Sequence, residues 1–197
     1  FAGHRSSPWN KISADLTLVA DTLGVVVVAV AVTVLLFVRR WGHAALILLI
    51  GLAIELSVFL STNYLVARPR PSVPHLGATP STFSWPSGHS AATFVVYGGI
   101  AIIVMAATNR LILRALAWAV AVGLTFAVAM SRIYRGEHHP TDTIAGVLLG
   151  VGAVAAAVFV IRTWSASGRR PSRLDSGSRN QPAVRVEPGD VPVAVAR

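Results

Sequence analysis

Three short clusters in this sequence hold residue types that handle phosphate. They are Arg68-Pro69-Arg70-Pro71, Pro86-Ser87-Gly88-His89, and Ser131-Arg132 followed at fixed intervals by His138 and Asp142. Arginine is planar, permanently charged and able to donate to two phosphate oxygens at once. Arg70 and Arg132 are therefore candidates to hold a phosphoryl group. The prolines flanking Arg70 fix the local backbone and lower the ordering cost of such a grip. Read in isolation, the same arginines equally suit anionic headgroups at a membrane edge. Pro86-Ser87-Gly88 reads as a helix start, where proline is tolerated and free N–H groups and the helix dipole favour an anion. Gly88 gives room for close approach, Ser87 adds a hydroxyl donor, and His89 lies in the same turn. A capped helix start with an interfacial histidine is the plainer alternative.

His138 and Asp142 are four residues apart, so on a helix they share a face. A carboxylate accepting one ring N–H fixes the tautomer and leaves the other nitrogen free to attack. Pro140 suits a helix start, which places His138 just before or at that start. The alternative is that Asp142 merely complements the helix dipole while His138 sits at the interface. Neighbouring ionisable groups have simpler readings: Glu137 can pair with Arg135, His139 is outside the spacing, and His75 has no evident partner.

Apolar runs must position these clusters. The chain has 197 residues, 54% hydrophobic and 13% charged, with no cysteine and a net charge of +9. A soluble domain carries roughly twice that charged fraction. Five apolar stretches, at 17–38, 44–65, 88–107, 112–131 and 143–162, approach the roughly 20 residues that a helix needs to cross a hydrocarbon core. An open sheet edge cannot exist in lipid, so each reads as a helix. The expected architecture is all-α, a polytopic bundle with five visible spans. Residues 1–16 form a polar segment at the outer face, 17–162 the membrane domain, and 163–197 an Arg-, Ser- and Pro-rich disordered tail in the cytoplasm. The basic residues lie between apolar runs and in the tail, which fits lipid headgroups rather than nucleic acid. Short basic turns at 39–43 and 108–114 belong in the cytoplasm by the positive-inside rule, and the loops at 66–87 and 132–142 then face outward. Asp21 and Glu55 lie inside apolar runs, where an ionisable side chain faces other helices or water.

Taken together, the clusters resemble the three-part signature of the type 2 phosphatidic acid phosphatase superfamily, which also includes vanadium haloperoxidases and glucose-6-phosphatase-like enzymes. That pattern is Lys, six residues, Arg-Pro; then Pro-Ser-Gly-His; then Ser-Arg, five residues, His, three residues, Asp. The second and third parts match throughout. In the first, counting back from Arg70 puts Asn63 at the lysine position, and the only lysine is the distant Lys11. Arg68 or Arg135 could supply the missing charge.

The resemblance implies a six-helix membrane bundle, here without its first span. It implies His138 as the nucleophile that forms a phosphohistidine, Asp142 as its orienting partner and His89 as the acid that protonates the leaving group. Arg70, Ser87, Gly88 and Arg132 would cradle the phosphate, with Asn63 in the substituted position. No metal or cofactor is implied, and the partners are the bilayer and a lipid phosphate. The expected substrate is a polyprenyl phosphate or diphosphate, with phosphatidic acid or phosphatidylglycerol phosphate as rivals, in a bacterial plasma membrane with the site on the extracytoplasmic face. The alternative is a lipid-phosphate binding or transport protein of the same fold with weak catalysis, which the neutral Asn63 favours.

Overall fold

The computed structural model of the protein describes residues 5–20, 22–77 and 81–167. Six helices follow one another: α1 (Ser7–Ala20), α2 (Thr22–Val38), α3 (Gly42–Val66), α4 (Gly88–Ala107), α5 (Leu111–Tyr134) and α6 (Pro140–Ser167). Every regular element among the described residues is helical. One compact unit ends at Thr163, and the next, from Trp164, is described only for the last turn of α6. The expected tail from residue 168 and the side chain of Asp21 lie outside the described residues.

Helices α3 to α6 are long and apolar enough to cross a membrane, and α2 is a shorter apolar helix. The chain is a polytopic membrane protein. At about 1.5 Å per residue, α2 reaches only about 26 Å, a little short of a typical hydrocarbon core. The expected run at 17–38 is divided, since α1 continues to Ala20 and α2 begins at Thr22. Residues 7–16, read from sequence as merely polar, form the first part of α1. That helix is held by specific polar contacts across the end of α5. Ser131 Oγ donates to the Ser13 carbonyl at 2.7 Å, and the Tyr134 hydroxyl to Asn10 Oδ1 at 2.9 Å.

Helix α4 is central, packing against α3 and α5 and touching α1 and α2. Apolar burial adds little between helices already in lipid, so close fit carries the packing. Glycines supply it where α6 meets α4. A Cβ on Gly146 would collide with the Ser87 carbonyl, and one on Gly150 would come within 2.7 Å of the Ala91 carbonyl. Farther along the same seam Val95 packs with Ala153 and Val154. Toward the opposite end, Leu36, Ala45, Leu48 and Ile103 close the bundle.

The site loops leave the bundle at one end. Helix α3 ends in a left-handed turn at Ala67 (φ 46°), whose N–H bonds the Asn63 carbonyl. The chain then passes directly into Arg68. Ser87 caps α4, its Oγ accepting from Ser90 N at 3.4 Å. Its own N–H donates to the Asp142 carbonyl at 2.9 Å, tying the starts of α4 and α6 together.

Candidate active site

His138 lies before α6 rather than on it, two residues ahead of Pro140. It therefore does not share a helix face with Asp142. Its Nδ1 is 2.8 Å from the Ser84 carbonyl and 3.8 Å from Asp142 Oδ2. A carbonyl can only accept, so Nδ1 carries the proton and Nε2 keeps its lone pair. Ser84 thus provides the closer orienting contact, a role the sequence reading gave to Asp142 alone. The Ser84 hydroxyl in turn donates to Asp142 Oδ2. Burial pushes the His138 imidazole below its ordinary pKa; Asp142 pulls it up, while Arg132 and Arg70 push it further down. The ring is held neutral.

Asp142 is fully buried and organises the loop around it. It accepts from Arg68 Nη1 at 2.6 Å and from the His139 backbone N–H at 2.8 Å, and His139 Nδ1 lies 3.2 Å away. Arg68 also donates to Thr141 Oγ1 at 2.8 Å. Arg68 is thereby committed to Asp142, and Arg135 donates to the Leu76 carbonyl. Neither lines the cavity described below.

Glu137 changes the electrostatics more than its place in the sequence suggests. The residue is 1% exposed. Oε2 lies 3.3 Å from Arg70 Nη1 and 3.7 Å from Arg132 Nη2, so one carboxylate joins both arginines. The expected pairing with Arg135 is replaced by this bridge. Arg70 also donates to the Glu137 carbonyl at 2.8 Å and to the Thr82 carbonyl through Nε and Nη2 at 3.2 and 3.1 Å. Burial works against the Arg70 charge, and Glu137 and Asp142 support it. A buried ion pair is costly to break from one side, because the remaining charge is stranded.

Asn63 is revised. Its Nδ2 donates to the Phe83 and Trp85 carbonyls at 2.9 and 3.0 Å, and its Oδ1 accepts from Phe83 N at 3.0 Å. An amide has two N–H donors, and both are spent on the loop. Asn63 clamps residues 83–85 and has no donor for a phosphate.

A cavity of about 580 Å³ opens from this end of the bundle. Arg70, Gly88, His89 and His138 line it together. Ser87, Arg132 and Asp142 are buried beside it rather than in its wall. A Cβ on Gly88 would meet the Phe59 ring at 3.0 Å, so this glycine also makes room for an aromatic wall. From Phe59 the cavity runs inward between α2 and α3, along Val30, Val34 and Leu52. Val30 and Val34 are also about half exposed, so its wall reaches the outer surface of the bundle.

A helical membrane bundle with a buried histidine–carboxylate–arginine cluster at the mouth of an apolar cavity defines a membrane-embedded phosphoryl-handling protein. Residues 42–167 match the PAP2 superfamily, and the chain belongs to that family of phosphatases. It is 29% identical over 175 residues to YbjG, a candidate undecaprenyl-diphosphatase of Escherichia coli (strain K12), covering 84% of this chain and 79% of that one. It is 36% identical over 99 residues to the decaprenylphosphoryl-5-phosphoribose phosphatase of Mycobacterium tuberculosis, covering 48% of this chain and 49% of the relative. The fold resembles a PAP2-type phosphatidylglycerolphosphate phosphatase from Bacillus subtilis, with TM-score 0.71, 23% identity, and 86% and 82% of the two chains covered. It also resembles Aquifex aeolicus LpxE, with TM-score 0.62, 20% identity, and coverage of 79% and 88%.

Proposed function

We propose that the protein hydrolyses a lipid phosphate or diphosphate through a phosphohistidine on His138. Nε2 of His138 attacks phosphorus, and the bond from phosphorus to the lipid oxygen breaks. His89 gives its proton to the departing oxygen. Water then attacks the phosphohistidine, with His89 taking its proton; inorganic phosphate leaves and His138 is restored. Splitting the displacement in two eases each half, and the work left to the protein is positioning and charge stabilisation. Arg70, Arg132, the Gly88 N–H and the positive end of the α4 dipole supply the positive field. Neither step is routed through a metal.

The observation that carries this reading is the pairing of a protonated Nδ1 with a cavity-facing ring at His138. The apolar continuation of the cavity supports a lipid, since the headgroup can react while its chain remains among the helices. Polyprenyl phosphates or diphosphates and glycerolipid phosphates are all compatible with that shape. An extracytoplasmic site in a bacterial plasma membrane is supported by the basic turns at the opposite end of the bundle.

Phosphate release from lipid vesicles tests the proposal. Wild type releases phosphate, with or without EDTA, and His138→Ala does not. Equal release from both proteins, or complete loss with EDTA that Mg²⁺ restores, sinks the mechanism. The second reading, lipid-phosphate binding with weak catalysis, draws on Glu137, which offsets one of two arginine charges where the lysine position is already neutral. Under that reading, lipid binds but wild type releases no more phosphate than His138→Ala.

A further inference from the structure

Two polar side chains inside the cavity have no role in the chemistry above. Glu55 on α3 and Thr33 on α2 are 5% and 9% exposed, and both line the cavity that reaches His138. The Thr33 hydroxyl has no hydrogen-bond partner. Several hydroxyls within the helices bond back to a carbonyl one turn earlier, as Ser57 does to Ala53, Thr125 to Ala121 and Thr93 to His89. Thr33 forgoes that bond. The Glu55 carboxyl likewise has no hydrogen-bond or ionic partner among the described residues. Its surroundings are the valines and leucines of the groove.

Leaving a carboxyl and a hydroxyl unpaired in hydrocarbon is unfavourable. A bundle that merely held an alkyl chain would be better served by leucine at both positions. Glu55 is therefore placed for an oxygen-bearing part of a ligand near the mouth, while Thr33 lies deeper, where Leu36 and Ala29 of α2 meet Leu48 and Leu52 of α3. The depth of Glu55 suits a lipid phosphate. Glu55 is one helical turn inward from Phe59, whose ring touches the Gly88 end of the cavity, which is about 6 Å along α3. Linker oxygens, whether ester carbonyls or sugar hydroxyls, sit a few covalent bonds from the phosphate they accompany. A carboxylate accepts from hydroxyls, and a protonated carboxyl donates to carbonyls.

We infer that Glu55 forms a polar subsite for a hydrogen-bonding linker between the phosphate and the hydrocarbon chain. Resting on the lipid-phosphatase reading, this narrows the substrate to lipid phosphates with oxygens in that linker. A plain polyprenyl phosphate, whose chain begins directly at the phosphate, leaves the Glu55 carboxyl unanswered.

The test measures binding to the His138→Ala protein in detergent micelles, so that no turnover is required. The probes are phosphatidic acid, decaprenylphosphoryl-5-phosphoribose and undecaprenyl phosphate. Adding Glu55→Met should weaken one of the first two lipids relative to undecaprenyl phosphate by about tenfold, the scale of one hydrogen bond; Thr33→Val, deeper in the groove, should leave that ratio unchanged. Loss confined to phosphatidic acid identifies ester carbonyls, and loss confined to the phosphoribose lipid identifies sugar hydroxyls. If Glu55→Met leaves all three affinities in the same ratio, the subsite does not exist. Wild-type phosphate release is scored separately, so a selective change in binding without hydrolysis overturns only the enzymatic proposal.

Discussion

The two ends of one cavity treat polar groups in opposite ways. At the mouth, Asp142 is held by Arg68, Ser84 and His139, and Glu137 by Arg70 and Arg132. One helical turn inward Glu55 has no such partner, and deeper in the groove neither has Thr33. The mouth has arranged its charges before any ligand arrives, so an incoming phosphate must displace or share existing contacts. The interior offers contacts that only a ligand can complete. Preorganisation serves the reacting atoms, where charge changes during reaction, and unmet hydrogen-bonding capacity serves selection.

The sharpest way to break this contrast is at His138. His138→Ala should lower phosphate release by at least about a thousandfold, because the covalent step disappears; residual activity near wild type would move the reaction centre elsewhere. Asp142→Asn should cost about a hundredfold in kcat, since the carboxylate anchoring Ser84 and Arg68 is lost. An unchanged kcat would show that the Ser84 carbonyl alone sets the His138 ring. Asn63→Lys should lower thermal stability by about 1–3 kcal/mol through loss of the clamp on residues 83–85, and should weaken vanadate inhibition. Tighter vanadate binding would restore the lysine position to the phosphate cradle. Glu137→Gln frees the arginine pair from its internal anion, so vanadate, a phosphate mimic, should inhibit several-fold more strongly while kcat falls. Weaker inhibition would make Glu137 a holder of arginine geometry instead of a competitor.

The smallest effect is in pH. In the proposed mechanism His138 reacts as the neutral ring, and its burial lowers the pH at which it gains a proton. Activity should therefore persist below the ordinary imidazole value of about 6.5 and decline only at more acidic pH. A kcat/KM profile whose acid limb lies above that value contradicts the buried, neutral nucleophile.

Much of this was legible in the sequence, for a physical reason. Helices α3 to α6 are long apolar runs bounded by polar residues, and hydropathy reports those directly. The run at 17–38 misled because its hydropathy does not mark where α1 gives way to α2. Arg70, Gly88, His89 and His138 could be grouped because their spacing is distinctive. The supporting contacts could not. His138 rests on the carbonyl of Ser84, and Arg70 on those of Thr82 and Glu137. Every residue has a carbonyl, so no side-chain pattern announces which will be used. Glu137 was visible, but its nearest basic neighbour in sequence, Arg135, is not its partner in space.

Arg5 gives the N-terminal segment a part in the site. Its guanidinium donates at 2.6 Å to the Pro74 carbonyl in one site loop and at 3.1 Å to the Tyr134 carbonyl beside the other. A segment without any signature residue thus works as a cross-brace between two walls built far apart in the chain. Grafting a different leader onto this bundle would alter the width of the catalytic opening while leaving every reactive side chain intact, so chimeras between relatives should be joined upstream of Arg5.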